Sequence, residues 1–265
     1  MTSGTTGEGL LLSMEERKAI CEMVVEHVGD SVPVIAHTGC ISTADTVDLT
    51  KHAASIGTAA AAIIVPYFFG LDDDSLFNHF ITVAKAVPNY PIFIYSFPGN
   101  AKNDISPELL KRLRNTRQNI VGIKSTNPDL IRFQEYITAG GDSFYVFNGI
   151  DGLMLPALTL GAAGQISGNA NVFPEVFCSL YESFQAGDIE RARSQQQLVN
   201  QIRMLLKDGF HPAALKAGLA VRGISSGFVR SPMRELNGSE MNAIEKGMHE
   251  LSMKLQTQLS LTEAN

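Results

Sequence analysis

Lys124 stands inside Ile-Val-Gly-Ile-Lys-Ser-Thr, residues 120–126, a segment otherwise fit for burial. Strand alternation places it on one face with Ile120 and Gly122. A lysine facing a protein interior loses hydration, which disfavours its charged form, and a neutral amine is the nucleophile that imine chemistry requires. The alternative is a lysine whose stem follows the strand out to solvent. Tyr95 closes the preceding apolar run, Ile-Phe-Ile-Tyr-Ser-Phe-Pro, one strand-and-helix unit earlier. In a parallel sheet of consecutive strands its phenol and the Lys124 amine project at the same end. There the phenol either relays protons or fills the interior with its hydroxyl on a backbone partner.

Other segments offer binding groups. Gly-Thr-Thr-Gly-Glu, residues 4–8, presents the hydroxyls of Thr5 and Thr6 and free backbone N–H groups just before a helix start. That arrangement suits a carboxylate or phosphate, or simply caps the helix. Asn148-Gly149-Ile150-Asp151 and Ser167-Gly168-Asn169 follow two later apolar runs, where small and polar residues admit a polyhydroxylated substrate or make ordinary turns. His37, ending Val-Pro-Val-Ile-Ala-His-Thr-Gly, either touches substrate or is a satisfied strand-end histidine. The six histidines have no short paired spacing and the three cysteines form no CxxC, so neither a metal site nor a disulfide framework has support. No GxSxG elbow is present.

These groups need a frame. Short runs rich in Val, Ile and Phe recur at 32–36, 60–68, 91–97, 120–124, 144–147 and 162–166, and being apolar on both faces they read as buried parallel strands. Helical patterns separate them. Ser13 and Glu16 make a capping box for a helix that stops near Gly29, and Thr43 or Asp45 opens the next. Asp72, Asp73 and Asp74 precede a third helix, and Ser106-Pro107 starts a fourth. Strand and helix alternate at roughly 30 residues, the pattern of βα units, and no GxGxxG or GxxxxGK[ST] loop supports a nucleotide-binding doubly wound sheet. After the last strand the pattern is helical: 174–186, 188–207, 211–221 and about 239–259. The chain therefore divides into a (β/α) barrel over 1–187 and a C-terminal helical region over 188–265.

Hydrophobic residues make up 45% of the 265, which is ample for a core, and the net charge of -6 gives no reason to expect nucleic acid. Neither a leader-like start nor a bilayer-length apolar stretch is present, and the cysteines fit a reducing compartment, so the expected location is the cytoplasm, with no membrane partner.

Five segments occur together in order: Gly-Thr-Thr-Gly-Glu, Pro66-Tyr67, Ile-Tyr-Ser-Phe-Pro ending at Pro98, Gly-Ile-Lys at Gly122 to Lys124, and His-Pro-Ala-Ala-Leu-Lys at 211–216. Over essentially the whole chain they resemble the dihydrodipicolinate synthase and N-acetylneuraminate lyase superfamily of pyruvate-dependent class I aldolases. The resemblance implies a TIM (β/α)8 barrel with a C-terminal helical bundle, assembled as a homotetramer. It puts Lys124 on the Schiff-base lysine and Tyr95 on the proton-shuttling tyrosine. Thr5 and Thr6 fall on the residues that hold the pyruvate carboxylate, and Thr126, Gly149, Asp151, Ile166 and Gly168 on the substrate-binding set. It implies no cofactor beyond the covalent imine on Lys124, no metal, and as partners a 2-oxo acid and an aldehyde.

Three departures narrow the substrate and the mechanism. Asn100 stands where the synthase keeps an arginine for its aldehyde substrate's carboxylate, which argues against synthase activity. Gly152 stands where sialic acid lyases carry a glutamate after Asp151, which argues against sialic acid. Phe68 replaces the relay tyrosine that the family takes from a neighbouring subunit. The leading expectation is an aldolase for a 2-keto-3-deoxy sugar acid or a 4-hydroxy-2-oxo acid; 4-hydroxy-tetrahydrodipicolinate synthase and a catalytically weak 2-oxo-acid-binding homologue are the alternatives. In this family the Gly4–Glu8 turn follows the second strand, so the expected barrel lacks its first strands and little holds that turn.

Overall fold

A computed structural model describes residues 1–29, 31–209 and 211–262, with side chains to 255. It divides into two compact units, Met1–Ile166 and Ser167–Asn265.

In the first unit six parallel strands pair in chain order: β1 (Ile35–His37), β2 (Ala60–Ile64), β3 (Ile92–Ser96), β4 (Ile120–Ser125), β5 (Tyr145–Asn148) and β6 (Gly164–Gln165). With the helices between them they form part of a TIM-like barrel. Helices α1 (Met14–Val28), α2 (Thr43–Ser55), α3 (Asp73–Ala86), α4 (Pro98–Ala101), α5 (Pro107–Thr116), α6 (Leu130–Gly140) and α7 (Met154–Leu160) fill the connections. All five residues of β2 are buried, as a strand covered on both faces requires. Ile63, Ile94 and Ile123 are fully buried in the core between sheet and helices, each worth about 1.5–3 kcal/mol of transfer free energy.

The helix starts follow local chemistry. Ser13 and Glu16 close the capping box of α1, Asp72 caps α3 through the Ser75 N–H, and Ser106 caps α5 with Pro107 at its first position. Two features differ from the sequence reading. The run 60–68 is strand only to Ile64, because Pro66 has no N–H for the ladder, and Phe68 takes a left-handed backbone with φ 76°. The Gly4–Glu8 turn is anchored: Thr2 bridges Ala36 in parallel, its N–H donating to the Ile35 carbonyl and its own carbonyl accepting from the His37 N–H.

The second unit holds α8 (Pro174–Gln185), α9 (Ile189–Leu205), α10 (Pro212–Val221) and α11 (Gly238–Thr262). Val176, Leu180, Val199 and Ile202 are buried within it, and Arg222 clamps α10 to the start of α8 through the Val172 carbonyl and Glu175. The division of the chain assigns α8 to this unit. Among the described residues no helix is long and apolar enough to cross a membrane.

Candidate active site

Register brings the proposed chemistry together. Tyr95 of β3 pairs with Lys124 of β4, so both project from the same level of the sheet. Gly122 makes the neighbouring layer possible: a Cβ there would lie 2.5 Å from the Phe93 ring and 2.4 Å from the Tyr145 carbonyl oxygen. Lys124 is buried, with Nζ 4.1 Å from the Tyr95 ring centroid, a cation–π distance when the amine is charged. The Tyr95 ring stacks on Phe97 and its hydroxyl shares a 3.2 Å hydrogen bond with Thr5 Oγ1. The turn that presents Thr5 is closed by the Glu8 N–H donating to the Thr5 carbonyl and the Gly9 N–H to the Gly4 carbonyl. Lys124, Tyr95 and Thr5 thus form one contiguous group.

Thr126 and Gly149 extend it. The Thr126 N–H donates to the Ser96 carbonyl and the Gly149 N–H to the Ser125 carbonyl. A Cβ on Gly149 would lie 2.1 Å from Thr126 Oγ1 and 3.0 Å from Lys124 Cε, so only glycine leaves that space open. Thr126 Oγ1 is buried and has no hydrogen-bond partner. Asp151 is 8% exposed and accepts from Gln165 Nε2 at 2.7 Å, while Gln165 Oε1 accepts from Asn148 Nδ2 at 2.5 Å. Ile166 donates its N–H to the Asn148 carbonyl. Thr6 is half-buried on the turn beside Thr5. Gly168 belongs to the second unit, where its carbonyl accepts from Asn171.

Two residues emerge beyond the motif set. His37 is buried and meets the Tyr95 ring edge-on at 6.0 Å. Burial first, then the charges of Arg17 and Lys124, push its imidazole down to about 3. Arg17, 5% exposed, donates to His37 Nδ1, to the His37 and Gly39 carbonyls and to Cys40 Sγ. Nothing in the sequence marks Arg17, because Glu-Glu-Arg-Lys reads as a solvated first helical turn.

A second polar cluster lies next to this one. Asp104 accepts from Ser96 Oγ, from Tyr136 Oη at 3.1 Å, from Asn127 Nδ2 at 3.4 Å and from the Ile105 N–H. Burial, with Asp104 beside it, raises the Tyr136 phenol well above its ordinary range. Among the described residues no three His, Cys, Asp or Glu side chains come together as metal ligands. Asn100 is exposed in α4, Gly152 lies in the turn Asp151–Leu153, and Phe68 is 73% exposed.

Comparison with known proteins covers nearly all of the chain. The profile of the dihydrodipicolinate synthetase family matches residues 1–251. An uncharacterized DapA-like lyase of Halobacterium salinarum is 36% identical over 94% of this chain and 81% of its own. A 4-hydroxy-tetrahydrodipicolinate synthase of Methanopyrus kandleri is 34% identical over 95% and 83%. Among solved structures, YagE, a prophage protein of the dihydrodipicolinic acid synthase family from E. coli K12 in complex with pyruvate, superposes with a TM-score of 0.90 at 29% identity, covering 95% of this chain and 86% of that one. A catalytic lysine mutant of the Ruminococcus gnavus sialic acid aldolase superposes with a TM-score of 0.91 at 27% identity, covering 96% and 84%.

Proposed function

The chain belongs to the dihydrodipicolinate synthetase family, whose members among its relatives are lyases of the synthase and N-acetylneuraminate lyase class, and on that premise we propose that it is a Schiff-base aldolase that releases pyruvate and an aldehyde from a 2-keto-3-deoxy sugar acid or a 4-hydroxy-2-oxo acid. The observation that carries this reading is the group of buried Lys124, Tyr95 against its amine, and Thr5 on the Tyr95 hydroxyl.

The Lys124 amine adds to the C2 ketone of the substrate, the carbinolamine hydroxyl takes up a proton and leaves as water, and a protonated imine remains. Tyr95 relays the proton of the C4 hydroxyl: its oxygen accepts that proton while its own passes through Thr5 Oγ1 to water, and the same relay run in reverse supplies the proton at C3. The C3–C4 bond then breaks, its electron pair moves into the imine to form an enamine, and the aldehyde departs. Protonation at C3 and hydrolysis return pyruvate and the free amine. The reaction needs no cofactor beyond the lysine. Thr5 and Thr6 bind the carboxylate end, and Thr126, Gly149, Asp151 and Ile166 bind the remainder, with the unpartnered Thr126 hydroxyl suited to a substrate hydroxyl.

Exposed Asn100 gives no cation for a second carboxylate, which favours a hydroxylated acid over the synthase substrate. The synthase is the second reading, favoured by the names of the relatives. Phe68 and Phe69, both largely exposed and packed edge-to-face at 5.1 Å, support the homotetramer that the resemblance implies, and light scattering on the purified chain measures it. The central test is incubation with pyruvate, reduction with borohydride and mass mapping. A reduced pyruvate adduct on Lys124 is expected, and an unmodified Lys124 in folded protein defeats the aldolase. Release of pyruvate from a panel of 2-keto-3-deoxy and 4-hydroxy-2-oxo acids, against condensation activity with the synthase's aldehyde, separates the two enzymes.

A further inference from the structure

Gln165 is a polar residue within the apolar run 162–166, half-buried in the short strand β6, where its register partner is Asn148 of β5. The two amides and Asp151 form one directed chain of hydrogen bonds. The Ile150 N–H donates to Asn148 Oδ1 at 3.2 Å and Asn148 Nδ2 donates to the Ile150 carbonyl at 2.7 Å, which fixes the orientation of the Asn148 amide. The same Nδ2 donates to Gln165 Oε1, so the other end of the Gln165 amide is its nitrogen, and Nε2 donates to Asp151 Oδ1 at 2.7 Å. Asn148 and Asp151 are both buried, so the chain is shielded from water. The residue types match their places: an amide offers an acceptor and a donor at one end, a carboxylate acceptors only.

What this chain ties down is the turn 148–151, and the turn walls the lysine. A Cβ on Gly149 would lie 3.0 Å from Lys124 Cε, so the glycine backbone packs directly on the lysine stem. A lysine carries its amine on a flexible four-carbon stem, and a wall at Cε removes conformers that would swing the amine away. Backbone bonds fix the root of the turn, from the Gly149 N–H to the Ser125 carbonyl and from the Ile166 N–H to the Asn148 carbonyl. The Gln165 amide fixes its far end by holding Asp151 to β6. We propose that Gln165 is a positioning residue for Lys124: it joins Asn148 to Asp151 across the turn, keeps Gly149 against the lysine stem, and so holds the amine over the Tyr95 ring. The assignment rests on the reading that Lys124 is the amine that attacks a 2-oxo acid, and in it Gln165 touches no substrate.

The test is cyanoborohydride trapping of pyruvate on the whole chain, with rates taken per folded molecule and compared with wild type at the same pH. Gln165→Met keeps the length but cannot donate to Asp151. Its saturated trapping rate falls about tenfold at every pH while the half-saturating pyruvate concentration changes by less than about threefold, since a displaced amine costs rate more than binding. Gln165→Glu shows the same loss at about pH 8, where it sets a second carboxylate against Asp151, and recovers toward the wild-type rate at about pH 5, where the pair shares one proton and the carboxylic acid again accepts from Asn148 and donates to Asp151. A purely structural role lowers the thermal midpoint of both variants without this recovery of rate. Equal saturated rates for wild type and Gln165→Met, or a loss in Gln165→Glu that acidification does not reverse, overturn the assignment alone. If Gln165→Met does not fold, the pH series on Gln165→Glu decides; if neither folds, Gln165 is scaffold and the assignment falls. A wild-type protein that takes up no pyruvate overturns the reading of Lys124 itself.

Discussion

Two buried polar clusters share the ends of β3 and β4, linked through Ser96, whose hydroxyl serves one and whose carbonyl the other. Around Asp104 the pairing is dense: Ser96, Tyr136, Asn127 and the Ile105 N–H converge on one carboxylate, the Tyr136 hydroxyl also reaches the Ile105 carbonyl, and the hydroxyl of Ser125, the register partner of Ser96, is the buried group there without a partner among the described residues. Around Lys124 the pairing is left open, with Thr126 Oγ1 and Ser3 Oγ buried and unpartnered. A folded protein keeps a buried donor or acceptor unpaired only at a cost of ~1–3 kcal/mol. The closed cluster therefore reads as scaffold and the open one as a place where a ligand completes the hydrogen bonds. On that contrast, removing a polar group from the open cluster changes chemistry at little cost in stability, and removing one from the closed cluster does the reverse.

Tyr95→Phe is the most demanding test. It removes one hydroxyl whose partner is Thr5 Oγ1 and leaves the buried ring, its stack on Phe97 and the Lys124 amine above it. Steady-state cleavage should fall by roughly 10²–10³, the usual worth of a positioned proton-transfer group, with the thermal midpoint nearly unchanged. An unaltered rate would remove Tyr95 from the chemistry.

Asp104→Ala should show the opposite behaviour. It strips Ser96 and Tyr136, both fully buried, of a shared acceptor, so urea unfolding should report a loss of about 2–4 kcal/mol. Trapping per folded molecule should change by less than tenfold, because no Asp104 atom touches the Lys124 group. A rate loss as large as that of Tyr95→Phe would merge the two clusters into one functional unit.

Gly149→Ala tests whether the open space is needed. The added methyl must move the Thr126 hydroxyl and press on Lys124, an overpacking of about 1–3 kcal/mol, with the saturated trapping rate reduced as well. Stability lost with trapping intact would place Gly149 in the scaffold.

The closed framework was largely legible in the sequence and the open cluster only in part. Apolar runs of β-branched residues report burial on both faces, and the Ser13–Glu16 box and Ser106-Pro107 report helix starts, because these signals are local. Lys124 and Tyr95 stood out for the same reason, each a polar residue breaking an apolar run. The Arg17–His37 pair joins residues 20 positions apart, and no short spacing announces it. The strand end at Ile64 was missed because the apolar pattern runs on through Phe68, while Pro66 and the left-handed Phe68 obey backbone rules that the pattern does not carry.

Thr126→Val has the smallest expected effect and draws the distinction most finely. The valine keeps the shape and the backbone N–H that donates to Ser96, and replaces an unpartnered buried hydroxyl with a methyl. With no hydrogen bond to lose, the desolvation cost of that hydroxyl is relieved, so the free protein should gain up to ~1 kcal/mol in urea unfolding. Trapping of pyruvate, which has no hydroxyl, should be nearly unaffected. Preference for a 2-oxo acid with a hydroxyl near C4 over one without it should fall about tenfold, since a site loses discrimination when its hydrogen-bonding group is removed. A stability loss beyond ~1 kcal/mol would mean that the Thr126 hydroxyl is already paired, and that the cluster around Lys124 is as closed as the one around Asp104.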